Sequence, residues 1–238
     1  MKLVYDIETD GIDATKVWCL VAYNLDTKST YKFSDYDDSL PGMDDACMLL
    51  NNAEVLVGHN IIGFDNLVME NLYGLKLNNK KIYDTWVMSQ VLQYKRSHKH
   101  GLAGWGAHLK YPKLDYDDWS GFSDEMMVYC SRDVQLNYVI FKKLMEELER
   151  LAKPQPLIRE GIKSEMEAAK FDAYCRYYGW EFDTTNALKL LDKIKLRMSV
   201  IENNIEPKTN DIDQKTLDLL NNSKEAKLPV LYMIPFLK

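Results

Sequence analysis

Lys2-Leu3-Val4-Tyr5-Asp6-Ile7-Glu8-Thr9 is apolar enough to be an internal strand and yet carries two acids. Side chains repeat along a strand with a period of two, so the alternation that starts at Val4 sends Asp6 and Glu8 to one face. Two carboxylates side by side repel each other, and burying them unpaired costs several kcal/mol. A cation between them removes that penalty. Hard oxygen ligands suit Mg²⁺ or Mn²⁺ better than zinc. Such a site needs further oxygen ligands from elsewhere in the chain.

The sequence has 238 residues, net charge −6 and an apolar fraction of 46%. It can build one large core, or one domain with an appendage. The charge does not point to a general nucleic-acid binder, yet a local site made of metal ions and a basic rim fits it, so composition neither favours nor excludes nucleic acid. No run of about 18 apolar residues occurs, so no membrane contact is expected. The N-terminus lacks the parts of a signal peptide. Cys19, Cys47, Cys130 and Cys175 are scattered without a CxxC pair and read as reduced thiols. A cytoplasmic protein is expected.

Strands are expected at Val17 to Leu25, Ser29 to Phe33 and Glu54 to Val57, the first two joined by the Asp26-Thr27-Lys28 turn. Asp44 is the expected N-cap of a helix to Asn52. Helical spacing runs from Phe64 to Leu72 with Gly74 as its stop. It recurs from Ile82 to Leu92 and from Leu102 to Leu109. Residues 112–122 read as irregular, after which Ser123 caps a helix running to Leu151. Strands first and helices around one more strand predict an α/β layered fold. Pro154-Gln155-Pro156 is the strongest break, dividing 1–153 from 154–238. Beyond it helices are expected at Leu157 to Tyr178, Asp183 to Asn203 and Gln214 to Leu220, followed by an apolar tail at Leu228 to Leu237.

Two more acids stand out. Gly58-His59-Asn60-Ile61-Ile62-Gly63-Phe64-Asp65 places an acid at the mouth of a strand–loop–helix unit. Taken alone, Asp65 reads as a helix cap. Tyr129 and Asp133, four apart, share a helix face within an otherwise apolar series. Taken alone, they read as a packed tyrosine and a solvated acid. Together with Asp6 and Glu8 they form an ordered series. His59 and His108 read as ordinary polar and packing residues.

That series resembles the three motifs of the DEDD superfamily of 3′–5′ exonucleases. The histidine branch would need His at position 128, which is Val128, whereas Tyr129 fits the tyrosine branch. Tyr83-Asp84-Thr85-Trp86, Gly104-Trp105-Gly106, Asp124-Glu125-Met126-Met127 and Tyr178-Gly179-Trp180-Glu181-Phe182-Asp183 are similar to phage replicative family A DNA polymerases. Asn60 stands five residues before Asp65, where many family A members have four. Residues 211–217 resemble the beginning of a polymerase module, and no palm or fingers fit in what remains. The expectation is an exonuclease part of a split or truncated polymerase, with a separate polymerase subunit as a candidate partner.

The resemblance implies a ribonuclease H-like mixed sheet flanked by helices, with a helical C-terminal extension. It also implies two-metal phosphodiester hydrolysis with Mg²⁺, or Mn²⁺ in its place. Asp6, Glu8, Asp65 and Asp133 would hold the ions and Tyr129 would orient the attacking water. The expected substrate is a single-stranded or frayed DNA 3′ end. Thr9, Ile12, Asn60 and Phe64 would meet its last nucleotides. Lys95, Arg96, Lys99 and His100 would form a basic rim for its backbone, the alternative being a solvated polar loop. Rival readings are a 3′–5′ exoribonuclease and a non-catalytic module that holds 3′ ends or tethers a polymerase.

Overall fold

The computed structural model describes residues 1–179 and 181–209. Its centre is β1 (Lys2–Thr9), whose Leu3, Val4, Tyr5 and Ile7 side chains are apolar or phenolic and sealed from water. β1 pairs antiparallel with β2 (Val17–Asn24), in register from Leu3 opposite Asn24 to Thr9 opposite Val17. A bulge interrupts the pairing between Glu8 and Thr9. On its other edge β1 runs parallel to β4 (Val55–Gly58), which pairs in parallel with β5 (Lys81–Asp84). With β3 (Thr30–Phe33) outside β2, the mixed sheet has five strands in the order β3-β2-β1-β4-β5.

Alternation along β1 assigns its two faces. Leu3, Tyr5 and Ile7 enter a core shared with α1 (Met43–Asn51), α2 (Asp65–Tyr73) and α3 (Thr85–Leu92). Val4 turns the other way, packing with Met126, Cys130 and Val134 of α5 (Asp124–Ala152). Each such fully buried side chain contributes about 1.5–3 kcal/mol. Asp6 and Glu8 share the Val4 parity, so they point toward α5. α4 (Leu102–His108) completes the helical shell. The fold is α/β, a ribonuclease H-like mixed sheet between helices with a helical C-terminal extension.

Several local expectations change. Residues from Ile82 form strand β5 before helix α3, because a short apolar run fits either period and the open edge of β4 decides it. Asp84 then ends the strand and caps α3, its side chain accepting from the Trp86 and Val87 amides. Asp44 lies inside the first turn of α1, whose cap residue is Gly42; the Met43 amide is held at 2.7 Å by Asp35 Oδ1. Ser123 does cap α5, accepting from the Met126 amide at 3.1 Å. Gly74, at φ 72°, ends α2 in the left-handed region that glycine tolerates.

Pro154-Gln155-Pro156 separates α5 from α6 (Ile158–Tyr178), and α6 packs back on the core through Ile162, Met166 and Ala173. The first compact unit runs Met1–Trp180, beyond the break expected after residue 153. The second unit begins at Glu181 and contains α7 (Thr184–Thr209), whose start is capped by Asp183 Oδ1 accepting from the Asn186 amide at 2.9 Å. The expected helix at Gln214 to Leu220 and the apolar tail lie outside the described residues. Among the described residues no helix is long and apolar enough to cross a membrane.

Candidate active site

Three elements bring the acids together. Asp6 and Glu8 come from the end of β1, where alternation aims both at α5. Cys130 of α5 lies against them, its Sγ 3.5 Å from the Asp6 carbonyl oxygen and 3.9 Å from Asp6 Oδ2. Ligand atoms of Asp6, Glu8 and Cys130 lie within 4.8 Å of one another. The cysteine is the soft member, and burial pushes its thiol well above the usual range, so it stays a protonated donor. Asp65 and Asp133 flank this group.

Asp65 is not the cap of α2. Phe64 holds that position without a side-chain hydrogen bond, and Asp65 Oδ1 instead accepts from the Ile7 amide at 3.2 Å. This bond ties the first turn of α2 to β1 between the two strand acids. Asp133 follows Tyr129 by one helical turn on α5, and both are buried. Tyr129 packs under Tyr116 and Trp119, with ring centroids 5.4 and 5.8 Å away.

Asp84 shapes the approach to Asp65. Besides capping α3, its carboxylate accepts from the amides of Asn60 at 2.9 Å and Ile62 at 3.1 Å. One buried acid thus fixes the loop that follows β4. Asn60 stands there at φ 63°, a left-handed conformation that asparagine adopts more readily than most residues. Gly58 is required at the loop's start, since a Cβ there would come within 1.8 Å of the Ile61 side chain. His59 Nδ1 meets Thr85 Oγ1 at 2.9 Å, a packing role.

The electrostatics are unbalanced. Burial raises the pKa of Asp6 well above the carboxylate range, and the charges of Asp65, Glu8 and Asp133 add to the effect. Burial, then Asp133, lifts Glu8 to about 8. Burial lifts Asp65 to about 7 and raises Asp133 as well. Glu8 Oε1 and Asp133 Oδ1 are buried without a hydrogen-bond partner. Orphaned carboxylate oxygens among like charges fit a hard divalent cation, and among the described residues Asp6 and Glu8, with Cys130, bring ligand atoms close enough together to hold one.

One positive charge within the cluster has no precedent in the sequence reading. Lys113, from the irregular segment before α5, sets its Nζ 2.5 Å from Asp133 Oδ2 and 4.6 Å from the Tyr129 ring centroid. Burial opposes its charge, but Asp133 beside it holds its pKa above the usual lysine range. No spacing rule links Lys113 to Asp133 across 20 positions of irregular chain and helix, so only the folded loop reveals the pair. Asp84 was visible as an acid near a helix start, but its clamp on Asn60 and Ile62 was not.

The expected nucleic-acid residues divide. Ile12 is 90% exposed, and Thr9 holds the turn before it by donating to the Gly11 carbonyl at 2.9 Å. Asn60 is exposed and Phe64 half-buried beside Asp65. Of the basic rim, Lys95 and Lys99 are exposed. Arg96 is engaged internally: it pairs with Glu147 of α5 at 2.9 Å and lies 4.8 Å from the Trp105 ring centroid. His100 is likewise held between Ser89 Oγ at 2.8 Å and the Tyr94 carbonyl at 3.0 Å. These two build the loop and are not free to meet a phosphate backbone.

Comparison with known proteins agrees with this fold. The model of a family described as 3′–5′ exonuclease matches residues 2–149. A structure titled the apo form of the nuclease is 17% identical, covering 77% of this chain and 88% of its own at a TM-score of 0.58. Brucella melitensis NrnC bound to pGG is 15% identical over 77% of this chain and 88% of its own, at 0.58. The family B DNA polymerase of Pyrobaculum calidifontis is 15% identical over 74% of this chain but 29% of its own, at 0.50. Among curated proteins no relative matches the sequence.

Proposed function

The chain belongs to the 3′–5′ exonuclease family, and from that premise we propose that it removes nucleotides from DNA 3′ ends as the proofreading part of a family A DNA polymerase. The observation that supports the hydrolytic reading is the placing of Asp6 and Glu8 side by side with buried Asp65 and Asp133 near them, Glu8 Oε1 and Asp133 Oδ1 lacking partners. An inert binding module has no physical reason to keep so repulsive a cluster.

Asp6, Glu8, Asp65 and Asp133 would hold divalent ions, Mg²⁺ by the hardness of their oxygens and Mn²⁺ as a substitute. When bound, such ions supply Lewis-acid polarisation of the phosphoryl oxygens and lower the cost of ionising water. Tyr129 then positions the attacking water through its hydroxyl. Burial raises its pKa further, so it orients as a neutral phenol at pH 7. Phe64 and Ile12 offer apolar surface to the terminal bases, with Thr9 and Asn60 shaping the turn and loop around them. Lys95 and Lys99 are the remaining exposed cations of the rim. Catalysis would be carried by residues 1–153.

A second reading, a 3′–5′ exoribonuclease or an enzyme of short oligonucleotides, is favoured by the likeness to NrnC bound to pGG. Digestion of a 5′-labelled DNA primer with a mismatched 3′ end, beside RNA of the same sequence, separates the two. Stepwise shortening of DNA in Mg²⁺, abolished by Asp6→Ala/Glu8→Ala, is expected. Equal rates on RNA would sink the proofreading assignment, and activity surviving in the double variant would sink the site.

A further inference from the structure

A groove of about 500 Å³ opens between the turn after β1, the N-terminal half of α2 and the last turns of α6. Its size is that of a small-ligand cleft, about 300–1,000 Å³. Ile12, Phe64 and Leu67 line its apolar side, Asp13 and Asn71 are polar, and α6 contributes Arg176 and Tyr177. α6 lies past residue 149, where the family match ends. It is nevertheless fixed against this face: the Tyr174 hydroxyl donates to Glu70 Oε2 of α2 at 2.6 Å, and Ala173 is buried.

Arg176 reaches back over the loop that carries Asp65. A Cβ at Gly63, two residues before that acid, would stand 3.6 Å from Arg176 Nη2 and 2.7 Å from Asn60 Oδ1. Gly63 thus leaves room for the Asn60 carboxamide, and the Arg176 guanidinium lies at ordinary contact distance from the same point. Arg176 Nε also meets Asp172 Oδ2 at 2.9 Å, but that pair is exposed, with about two-thirds of each side chain in water (64% and 63%). An exposed pair of this kind yields readily to a phosphate, which binds arginine through a charge-assisted fork. Tyr177, 46% exposed, presents a ring to the same groove.

We infer that this groove is a nucleotide subsite in which Arg176 binds a phosphodiester and Tyr177 packs on a sugar or base, one or two steps inside the 3′ end. The inference rests on the exonuclease reading and extends it: the helix beyond the family's matched residues is part of the substrate track. Two features favour a nucleic-acid strand as occupant. The groove reaches Phe64, the residue before Asp65, and its walls combine apolar and aromatic side chains with one guanidinium, that of Arg176, which an exposed aspartate holds only at the surface.

The test uses the full chain, wild type and with Arg176→Ala, Arg176→Lys or Tyr177→Ala. Binding of fluorescent oligothymidylates of two and of eight nucleotides is measured by anisotropy in EDTA across a salt series, and hydrolysis of both in Mg²⁺. Arg176→Ala should weaken binding of the eight-mer about tenfold and lower its salt slope by about one, leaving the two-mer unchanged. Arg176→Lys should keep the slope and recover part of the affinity. Equal losses on both lengths would place Arg176 at the terminal nucleotide and overturn the inner subsite, as would no loss on either. A wild type that binds the eight-mer through Arg176 but hydrolyses neither would refute the exonuclease reading and leave the groove standing.

Discussion

Lys113 Nζ sits 2.5 Å from Asp133 Oδ2, beside the acids Asp6 and Glu8. The lysine is the cluster's internal counter-charge, holding the Asp133 arm and the Tyr129 ring together. It neutralises one carboxylate of four, which leaves Glu8 Oε1 and Asp133 Oδ1 unpartnered.

Lys113→Met should therefore destabilise the metal-free protein by on the order of 1–3 kcal/mol, the cost of stripping a buried polar group of its partner. The same variant should gain more thermal stability from added Mg²⁺ than the wild type does, because the freed oxygen becomes available to the ion. Differential scanning fluorimetry in EDTA and across a Mg²⁺ titration reads both effects. An unchanged metal-induced shift would mean that Lys113 and the ion do not share Asp133.

The raised carboxylates set a pH dependence whose sign can be worked out. With folded pKa values of about 7 for Asp65 and about 8 for Glu8, the metal-free fold binds more protons than the unfolded chain above the ordinary carboxylate range. Its stability then falls as pH rises toward those values. His59, pushed by burial to about 3, acts in the opposite sense only below its ordinary value of 6.5. Between pH 6.5 and 8 the melting temperature in EDTA should fall, and the increment from Mg²⁺ or Mn²⁺ should be larger at pH 8. A flat EDTA profile would contradict the burial of these charges.

Tyr129→Phe keeps the ring against Tyr116 and Trp119 and removes only the hydroxyl. Its kcat should drop by about two orders of magnitude, the usual cost of losing one preorganised hydrogen-bonding group at a reacting centre. KM and melting temperature should change little. A variant with wild-type kcat would remove Tyr129 from the reaction.

Asp84→Ala should cost more than about 2 kcal/mol in urea unfolding, since it removes a helix cap and strands the Asn60 and Ile62 amides. Activity should fall as well, because the loop leading to Asp65 loses its anchor. Destabilisation without an effect on activity would show that the loop is held by other contacts.

Arg96→Ala separates a structural cation from a binding one. Breaking its nearly buried pair with Glu147 should lower stability by about 3–5 kcal/mol. The salt dependence of single-stranded DNA binding should stay as in wild type, whereas Lys99→Ala should reduce that slope by about one if Lys99 meets phosphate. A reduced slope in Arg96→Ala would return this residue to the rim.

What could be read from the sequence follows the reach of local rules. Alternation in β1 determined that Asp6 and Glu8 share a face, and helical spacing determined that Tyr129 and Asp133 do. The cap at Ser123 and the stop at Gly74 were legible because each is settled within one turn of chain. Strand β5 was not, since four residues satisfy either period until the edge of β4 claims them. Tertiary structure alone decided the rest. It set Lys113 on Asp133, tied Asp65 to the Ile7 amide, bent Asp84 onto the Asn60 loop and turned Arg96 inward to Glu147. Those contacts join segments far apart in sequence, and their energy depends on burial and on which charges face each other, neither of which exists until the sheet and helices have packed.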